Sequence, residues 1–255
     1  MSFNLRNMRA ADGNNGWFER EQAVGQTIQR YRPDLLGTQE GYFPQIEALR
    51  AMLPEYASVA VARDDGDRDG ETCALFYRRD VLTLNRSGTF WFSETPEVPG
   101  SRHWTRHHPR ICTWGEFVPI ANPETVIIAY NVHLDHEAQI AREKSCSMIR
   151  ERMSQLPTHH SAVAMGDFNL EPDNRGYDIM TGGGADAPID TYGRMMLSED
   201  DSGTFHDFTG RHDMGRIDYI FVTPNLTLEH ASIIHDSYEG RFPSDHYPIL
   251  ATVQI

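Results

Sequence analysis

Apolar and polar residues alternate along much of the chain with the period-two rhythm of strands, broken by a few segments at helical spacing. "WFEREQAVGQTIQRY" (residues 17–31) sets Val24, Ile28 and Tyr31 on one helical face. "FPQIEALRAML" (43–53) does the same with Ile46, Leu49 and Leu53. The clearest helix is expected over 137–156, with Ile140, Met148, Ile149, Met153 and Leu156 as its apolar stripe. The other apolar runs read as strands: "LLGTQE", "YASVAVA", "TCALFYRR", "VLTLNRSGTFWF", "ICTWGEFVPI", "ETVIIAYNVHL", "HHSAVAMGD", "RIDYIFV", "LTLEHASII" and "YPILATVQI". "AADGNNG" and "RDDGDRDGE" are polar loops, and 171–202 reads as loop and short helix. Strands dominate, with a few helices between groups of them. That pattern predicts a mixed α/β protein, with two packed sheets and helices outside.

A second regularity lies at the strand ends. In "AMGDFNLEPDN" (164–174) an apolar run closes on Asp167 and Asn169, with Phe168 between them. Residues two apart in an extended strand share a side, so the two polar groups can face one spot while Phe168 turns into the core. An Asx turn accounts for the same residues more plainly. Other strands end alike: on Asn4, on Glu40, on His133, on Asp218, and on Asp245 with His246. Each has an ordinary structural reading, as turn residue, helix-start acid, core histidine, backbone partner or cap. Together they point to one shared site, because charged groups at strand ends are costly unless paired or metal-bound. The set holds oxygen donors, two histidines and no thiolate, which suits Mg²⁺ or Mn²⁺.

Composition narrows the picture. The 255 residues suffice for one large domain or two small ones, and 39% apolar with 24% charged residues reads as a soluble globular protein. No apolar stretch is long enough to cross a bilayer, and no signal peptide stands in this numbering. The expected compartment is cytoplasmic for the chain as numbered. The start on "MSFNLRN", itself like a strand end, leaves secretion open through a leader lost upstream. Cys73, Cys112 and Cys146 are odd in number and show no CxxC spacing, so buried reduced thiols are expected. Asp and Glu outnumber Lys and Arg by 37 to 23, a formal charge of −14. Such a surface repels long polyanions but admits a small anion where bound cations reverse the local sign.

The polar strand ends resemble, in order, the motifs of the endonuclease/exonuclease/phosphatase superfamily: "SFN", "GTQE", "NVHLD", "GDFN", "RIDYIF" and "SDHYP". The likeness runs over essentially the whole chain, so one catalytic domain over 1–255 is implied. "SGTFWFSETPEVPGS", "PRICTW" and "GTFHDF" are similar to a bacterial-type branch. The implied fold is a four-layer α-β-β-α sandwich, two mixed sheets packed face to face with outer helices. The implied activity is Mg²⁺- or Mn²⁺-dependent hydrolysis of a phosphodiester or phosphomonoester.

The resemblance also implies roles. Asn4 and Glu40 would hold the metal, with Asp245 as a carboxylate on the metal side. Asp167 and Asn169 would orient the attacking water and bind the scissile phosphate. His246 would sit near the phosphate with Asp218 as its partner, since a carboxylate on one ring nitrogen favours the imidazolium. His133 would bind phosphate or act as general acid, and Glu71 matches the carboxylate that supports that histidine in the deoxyribonuclease branch. Asp167 is taken as base or orienter and His246 as transition-state stabiliser, with the reverse assignment open.

Neighbouring residues divide less sharply. Arg110 or Arg106 can supply a further phosphate contact or be a surface arginine. His206 can reach substrate or be a half-buried histidine. His103, His107 and His108 read as rim residues, and Trp91, Trp104 and Trp114 as core or rim packing. A zinc hydrolase of the metallo-β-lactamase type is a rival, because "HLDH" (133–136) matches the end of "HxHxDH"; the first histidine would fall at Asn131. A non-catalytic binding module on the same fold is another. A small phosphoester is the expected partner and long nucleic acid the less favoured one. The loops 63–70, 92–110 and 171–212 would set specificity; the sequence leaves the oligomeric state open.

Overall fold

The computed structural model describes residues 1–105, 107–195 and 201–254. In chain order its strands are β1 (Ser2–Asn4), β2 (Leu35–Gly41), β3 (Tyr56–Val59), β4 (Thr72–Arg78), β5 (Leu82–Trp91) and β6 (Ile111–Pro119). They continue with β7 (Val126–His133), β8 (His160–Asp167), β9 (Ile189–Asp190), β10 (Asp218–Val222), β11 (Thr227–Ile233) and β12 (Ile249–Gln254). The strands form two six-stranded sheets, ordered β11-β12-β1-β2-β4-β3 and β5-β6-β7-β8-β10-β9. Each sheet has one parallel pair at its centre, β1 with β2 and β7 with β8. The other pairings are antiparallel.

Parallel neighbours need a crossover. Helices α1 (Trp17–Tyr31) and α3 (Gln139–Ser154) supply the two crossovers, and α2 (Phe43–Met52) follows β2. Val24, Ile28, Ile46 and Leu49 pack from α1 and α2 onto Phe3, Leu36 and Phe76 of the first sheet. Cys146, Ile149 and Met153 of α3 pack onto Tyr130, Ala164 and Phe221 of the second. A third core between the sheets joins Leu75 and Ile249 to Phe117, Ala129, Met165 and Ile220. The result is the helix–sheet–sheet–helix layering expected from sequence. Short helices α4 (Arg175–Thr181) and α5 (Thr191–Met195) lie in the region read as loop and short helix. Among the described residues no helix is long and apolar enough to cross a membrane. All three cysteines are buried free thiols.

Two expectations need correction. Ile140 was placed on the buried stripe of α3, but it is 53% exposed. The Asp135 carboxylate accepts the amides of Glu137 and Ala138, so the helix begins at Gln139. The face toward the sheet is Ala141, Ser145, Ile149 and Met153, spaced by four, with Cys146. The zinc reading fails at Asn131. That side chain is buried between the sheets, its Nδ2 donating to the carbonyls of Thr38 (2.9 Å) and Ala74 (2.8 Å). Its Oδ1 accepts from Gln39 Nε2 at 2.6 Å. Asn131 is thus an inter-sheet tie, where the zinc motif needs a histidine.

His206 also departs from its expected place. It is fully buried and absent from the cavity that collects the strand-end residues. Its ring stacks on Tyr247 at 3.9 Å, its Nδ1 accepts the Gly210 amide, and its Nε2 has no partner. Burial, with help from the surrounding histidines, pushes its pKa down to about 3. The unfolded chain therefore binds a proton that the folded one refuses as pH falls below the ordinary histidine value. The stability this neutral ring supports is complete above about pH 6.5 and is lost progressively toward the folded value.

Two predictions follow from this packing. In EDTA, urea unfolding should show wild-type stability dropping by about 2 kcal/mol between pH 7.5 and 5 from this group alone. The His206→Phe variant should remove that component, and an unchanged pH slope would refute the assignment. Gly166 closes β8 at φ +148°, and a Cβ there would lie 2.0 Å from the Val132 carbonyl oxygen. Gly166→Ala should therefore cost about 3 kcal/mol or more in the same assay.

Candidate active site

Register places the polar strand ends side by side. In the second sheet His133 of β7 is opposite Asp167 of β8, and Asp167 is opposite Asp218 of β10. Three adjacent strands thus present three titratable groups in one row. In the first sheet β1 ends on Asn4, paired with Gln39 of β2. The next residue, Glu40, has φ +62° within a bulge between Thr38 and Gly41. The bulge re-aims its side chain, a common use of such irregularities.

The two sheets meet at Asn4. Its Nδ2 donates to Glu40 Oε1 and to Asp167 Oδ2, both at 3.0 Å, so one amide links carboxylates from opposite sheets. Its Oδ1 accepts the Arg6 amide at 2.9 Å. Asn4 therefore positions two carboxylates through its Nδ2, while its Oδ1 accepts one backbone amide and keeps a second lone pair. Glu40 Oε2 also accepts the backbone and side-chain N–H groups of Asn7.

Asp245 and His246 arrive on the loop before β12. This loop is held by Arg20, whose buried guanidinium donates to the carbonyls of Pro243, Leu5 and Arg6. Arg20 thereby fixes the loop after β1 and the loop before β12 against each other. Asp245 Oδ2 lies 3.5 Å from Arg6 Nε. His246 Nδ1 meets Asp218 Oδ2 at 2.8 Å, and its Nε2 is 4.0 Å from Asp167 Oδ2.

Asn169 reaches the site through a turn. Strand β8 stops at Asp167, and Asn169 adopts a left-handed φ of +51°. Its amide donates to Asp167 Oδ1 at 2.9 Å, an Asx turn. The turn, rather than strand alternation, brings Asn169 to the cavity beside Asp167. Phe168 is fully buried in the outer core, as expected.

These groups border one open cavity of about 390 Å³. Groups of both signs line it: the acids Glu40, Glu71, Asp167 and Asp245, the arginines Arg6, Arg63 and Arg110, and His108, His133, His136 and His246. Arg110 is buried, with Nη2 2.9 Å from His136 Nδ1. Arg106 lies outside the described residues. His108 sits on the rim as expected, and Trp91 is core, its indole N–H donating to the Arg63 carbonyl. Glu71 does not bond His133 directly: Arg63 Nη1 holds Glu71 Oε2 at 2.6 Å, while His133 Nδ1 is 3.9 Å away.

Burial sets the charge states. Burial, then repulsion from Asp218, pushes Asp167 up to about 7 although His246 opposes it. Burial also raises Asp245, against the pull of His246. Burial would raise Glu40 too, but His246, Asn4, Asn7 and Arg6 together hold it below its ordinary value. Burial works against a charged His246, yet Asp218 and the other carboxylates raise it well above the ordinary range, favouring the imidazolium. His133 is lowered well below it by burial and then by Arg110 and Arg63.

A divalent cation fits this donor set. Glu40, Asp167 and His246 offer ligand atoms within 4.8 Å of one another. The bond from Asp218 and the surrounding carboxylates favour His246 as a cation, which leaves the hard oxygens as the apt ligands. Three carboxylates crowd this spot, two with raised pKa values, and a cation would relieve their repulsion.

Sequence reasoning missed Arg6, Arg63 and His136. Arg63 carried a readable signal: it and Glu71 flank the "DDGDRDG" loop and pair across its hairpin, Arg63 N to Glu71 O at 3.0 Å. Arg6 gave none, because its left-handed φ of +55° and its neighbour Asp245 arise only on folding.

The architecture matches known proteins. A mannosyl-6-phosphatase from Bacteroides thetaiotaomicron is 34% identical, covering 100% of this chain and 98% of its own, with a TM-score of 0.92. Another Bacteroides thetaiotaomicron structure, titled as an endonuclease/exonuclease/phosphatase family protein, is 34% identical over 98% of this chain and 92% of its own, with a TM-score of 0.90. The D. rerio TDP2 complexed with single strand DNA product shares the fold at 17% identity, covering 100% of this chain and 97% of its own, with a TM-score of 0.79. No curated protein sequence matches significantly. Residues 1–246 match the Endonuclease/Exonuclease/phosphatase family, and the chain belongs to it.

Proposed function

We propose that the protein is a divalent-metal-dependent phosphoesterase that hydrolyses small phosphoesters, phosphorylated sugars foremost, by in-line attack of water. The observation that carries this reading is the row His133–Asp167–Asp218 of one sheet facing Glu40 of the other, with His246 held by Asp218 at 2.8 Å. Glu40 would hold the cation, flanked by Asp167 and Asp245. When bound, the cation would polarise the phosphoryl oxygen and offset charge growing on it.

The chain's own groups divide the remaining work. Asp167, fixed by Asn4 and by the Asn169 amide, orients the attacking water and accepts its proton. His246, kept cationic by Asp218, stabilises the developing negative charge. Arg110 and His133 face the phosphate in the cavity, and Asn169 borders it from the turn after β8.

The substrate class rests on two supports. One is the 34% identity to a mannosyl-6-phosphatase along the full chain. The other is the −14 charge, which disfavours a long polyanion. Gripping duplex DNA takes a run of cations along a groove. Here Arg63 and Arg110 are buried side chains that line this one cavity rather than a run along a groove.

The direct test compares mannose 6-phosphate, bis-p-nitrophenyl phosphate and plasmid DNA, with Mg²⁺, Mn²⁺ or EDTA. Phosphate release from the sugar ester, abolished by EDTA and restored by either ion, is expected. Efficient plasmid cleavage with a steep loss at higher salt would make the protein a nuclease instead, and inertness toward every ester would favour a binding module. Asp167→Asn should lower kcat by roughly a thousandfold or more and leave unfolding intact. His246→Ala should act in the same direction. Near-normal turnover in both variants would place the chemistry elsewhere.

A further inference from the structure

Beside the phosphate-facing wall, three buried side chains carry more polar atoms than they have partners. Arg63, Arg110 and His133 are 6%, 3% and 7% exposed. Arg63 Nε, Arg110 Nε, Arg110 Nη1 and His133 Nδ1 are all buried without a hydrogen-bond partner. The same three side chains line one small void of about 10 Å³, with Glu71 and Cys73 also in its wall. That is room for a single water, and a buried water usually needs two to four polar partners.

The hydrogen-bond count then fixes the histidine. Arginine nitrogens only donate, and a water offers two lone pairs and two hydrogens. Arg110 Nε is 3.7 Å from Asp135 Oδ2 and Arg63 Nε 3.9 Å from Asp64 Oδ1, too far to bond, so both, with Arg110 Nη1, are donors in want of an acceptor beside the void. A fourth donor, an N–H at His133 Nδ1, would find no acceptor there. A bare Nδ1 instead adds an acceptor to this donor-rich spot and takes one hydrogen of the water, whose other hydrogen is left for the Glu71 carboxylate. The ring proton then sits on Nε2, which lies 3.6 Å from Asp167 Oδ2 at the cavity.

Arg63 makes this arrangement possible. A carboxylate bonded directly to Nδ1 would require a proton there and leave Nε2 bare or the ring charged. Arg63 Nη1 captures Glu71 Oε2 at 2.6 Å and leaves it 3.9 Å from Nδ1. Resting on the phosphoesterase reading, we propose that the void holds one structural water, through which Arg63 and Glu71 position His133 as its Nε2–H tautomer. His133 is then a hydrogen-bond donor to a phosphoryl oxygen and does not protonate the leaving group. Its proton stays on Nε2 throughout. As the attacking water bonds phosphorus and yields its proton to Asp167, the P–O ester bond breaks, the departing oxygen takes a proton from a cavity water, and the hydroxide so left takes the proton held by Asp167. Arg63 is a positioning residue in this scheme.

The test sets His133→Gln, which keeps an N–H donor but has no ring proton to release, against His133→Ala. Both are assayed on p-nitrophenyl phosphate, which has a good leaving group, and on mannose 6-phosphate, which has a poor one. The glutamine variant should keep kcat/KM within about tenfold of wild type on both esters. The alanine variant should lose roughly a hundredfold on both alike. Collapse of both variants, deeper by about tenfold or more on the poor leaving group, would make His133 the general acid and overturn the proposal.

Nitrogen NMR of histidine-labelled protein reads the tautomer without relying on activity. Wild type should show His133 with a bare Nδ1 and a protonated Nε2. Arg63→Met should free Glu71 and shift the ring toward Nδ1–H. A wild-type ring protonated at Nδ1, or a tautomer indifferent to Arg63→Met, would also overturn the proposal. Failure of wild type on both esters would instead refute the phosphoesterase reading and with it the donor role, while the NMR signal would still decide the tautomer.

Discussion

The fold is organised around a repulsion that it must contain. Glu40 and Asp167 come from different sheets, yet one Asn4 amide touches both at 3.0 Å. Asp245 stands at the same cavity. Buried carboxylates this close oppose one another, and burial removes the water that would screen them. Four devices offset the strain: the Asn4 amide, the N–H groups of Asn7, the Arg6 guanidinium and the His246 imidazolium. A bound cation would be the fifth. Much of the surrounding structure follows from delivering these groups to one place. The parallel pair at the centre of each sheet points neighbouring strand ends the same way, and the bulge at Glu40 turns one side chain inward.

The cavity joins charges of both signs. The acids suit a cation and the arginines suit an anion, so a bound cation and a phosphate would each meet opposite charges there. The overall −14 charge is then a statement about what the wider surface rejects, and the cavity a statement about what it accepts. Both derive from where a few side chains fall, because buried Arg63 and Arg110 work at short range in a medium of low dielectric.

Much of this was legible in the sequence. Strand and helix periods gave the layers, and the repeated polar strand ends gave Glu40, Asp167, Asn169, Asp245 and His246 as cavity residues, with Asp218 behind His246. What escaped were features that only tertiary contact creates. Ile140 looked core-facing because local spacing cannot reveal that the Asp135 turn delays the helix start. His206 looked available because "TFHDF" does not disclose its stack on Tyr247, forty-one positions on. Asn4 was expected as a ligand from its residue type; that its amide also links carboxylates of opposite sheets arises only on folding. Asn169 was rightly placed for a different reason, a left-handed turn in place of strand alternation.

The central claim is that carboxylates from two sheets form one cation site beside an anion-binding wall. It is tested most directly by anomalous diffraction from crystals soaked in Mn²⁺ and inorganic phosphate. A manganese peak bonded to Glu40, with phosphate between it and Arg110, is the expected result. A peak elsewhere, such as among His103, His107 and His108, with the Glu40 site empty at saturating Mn²⁺, would contradict the account.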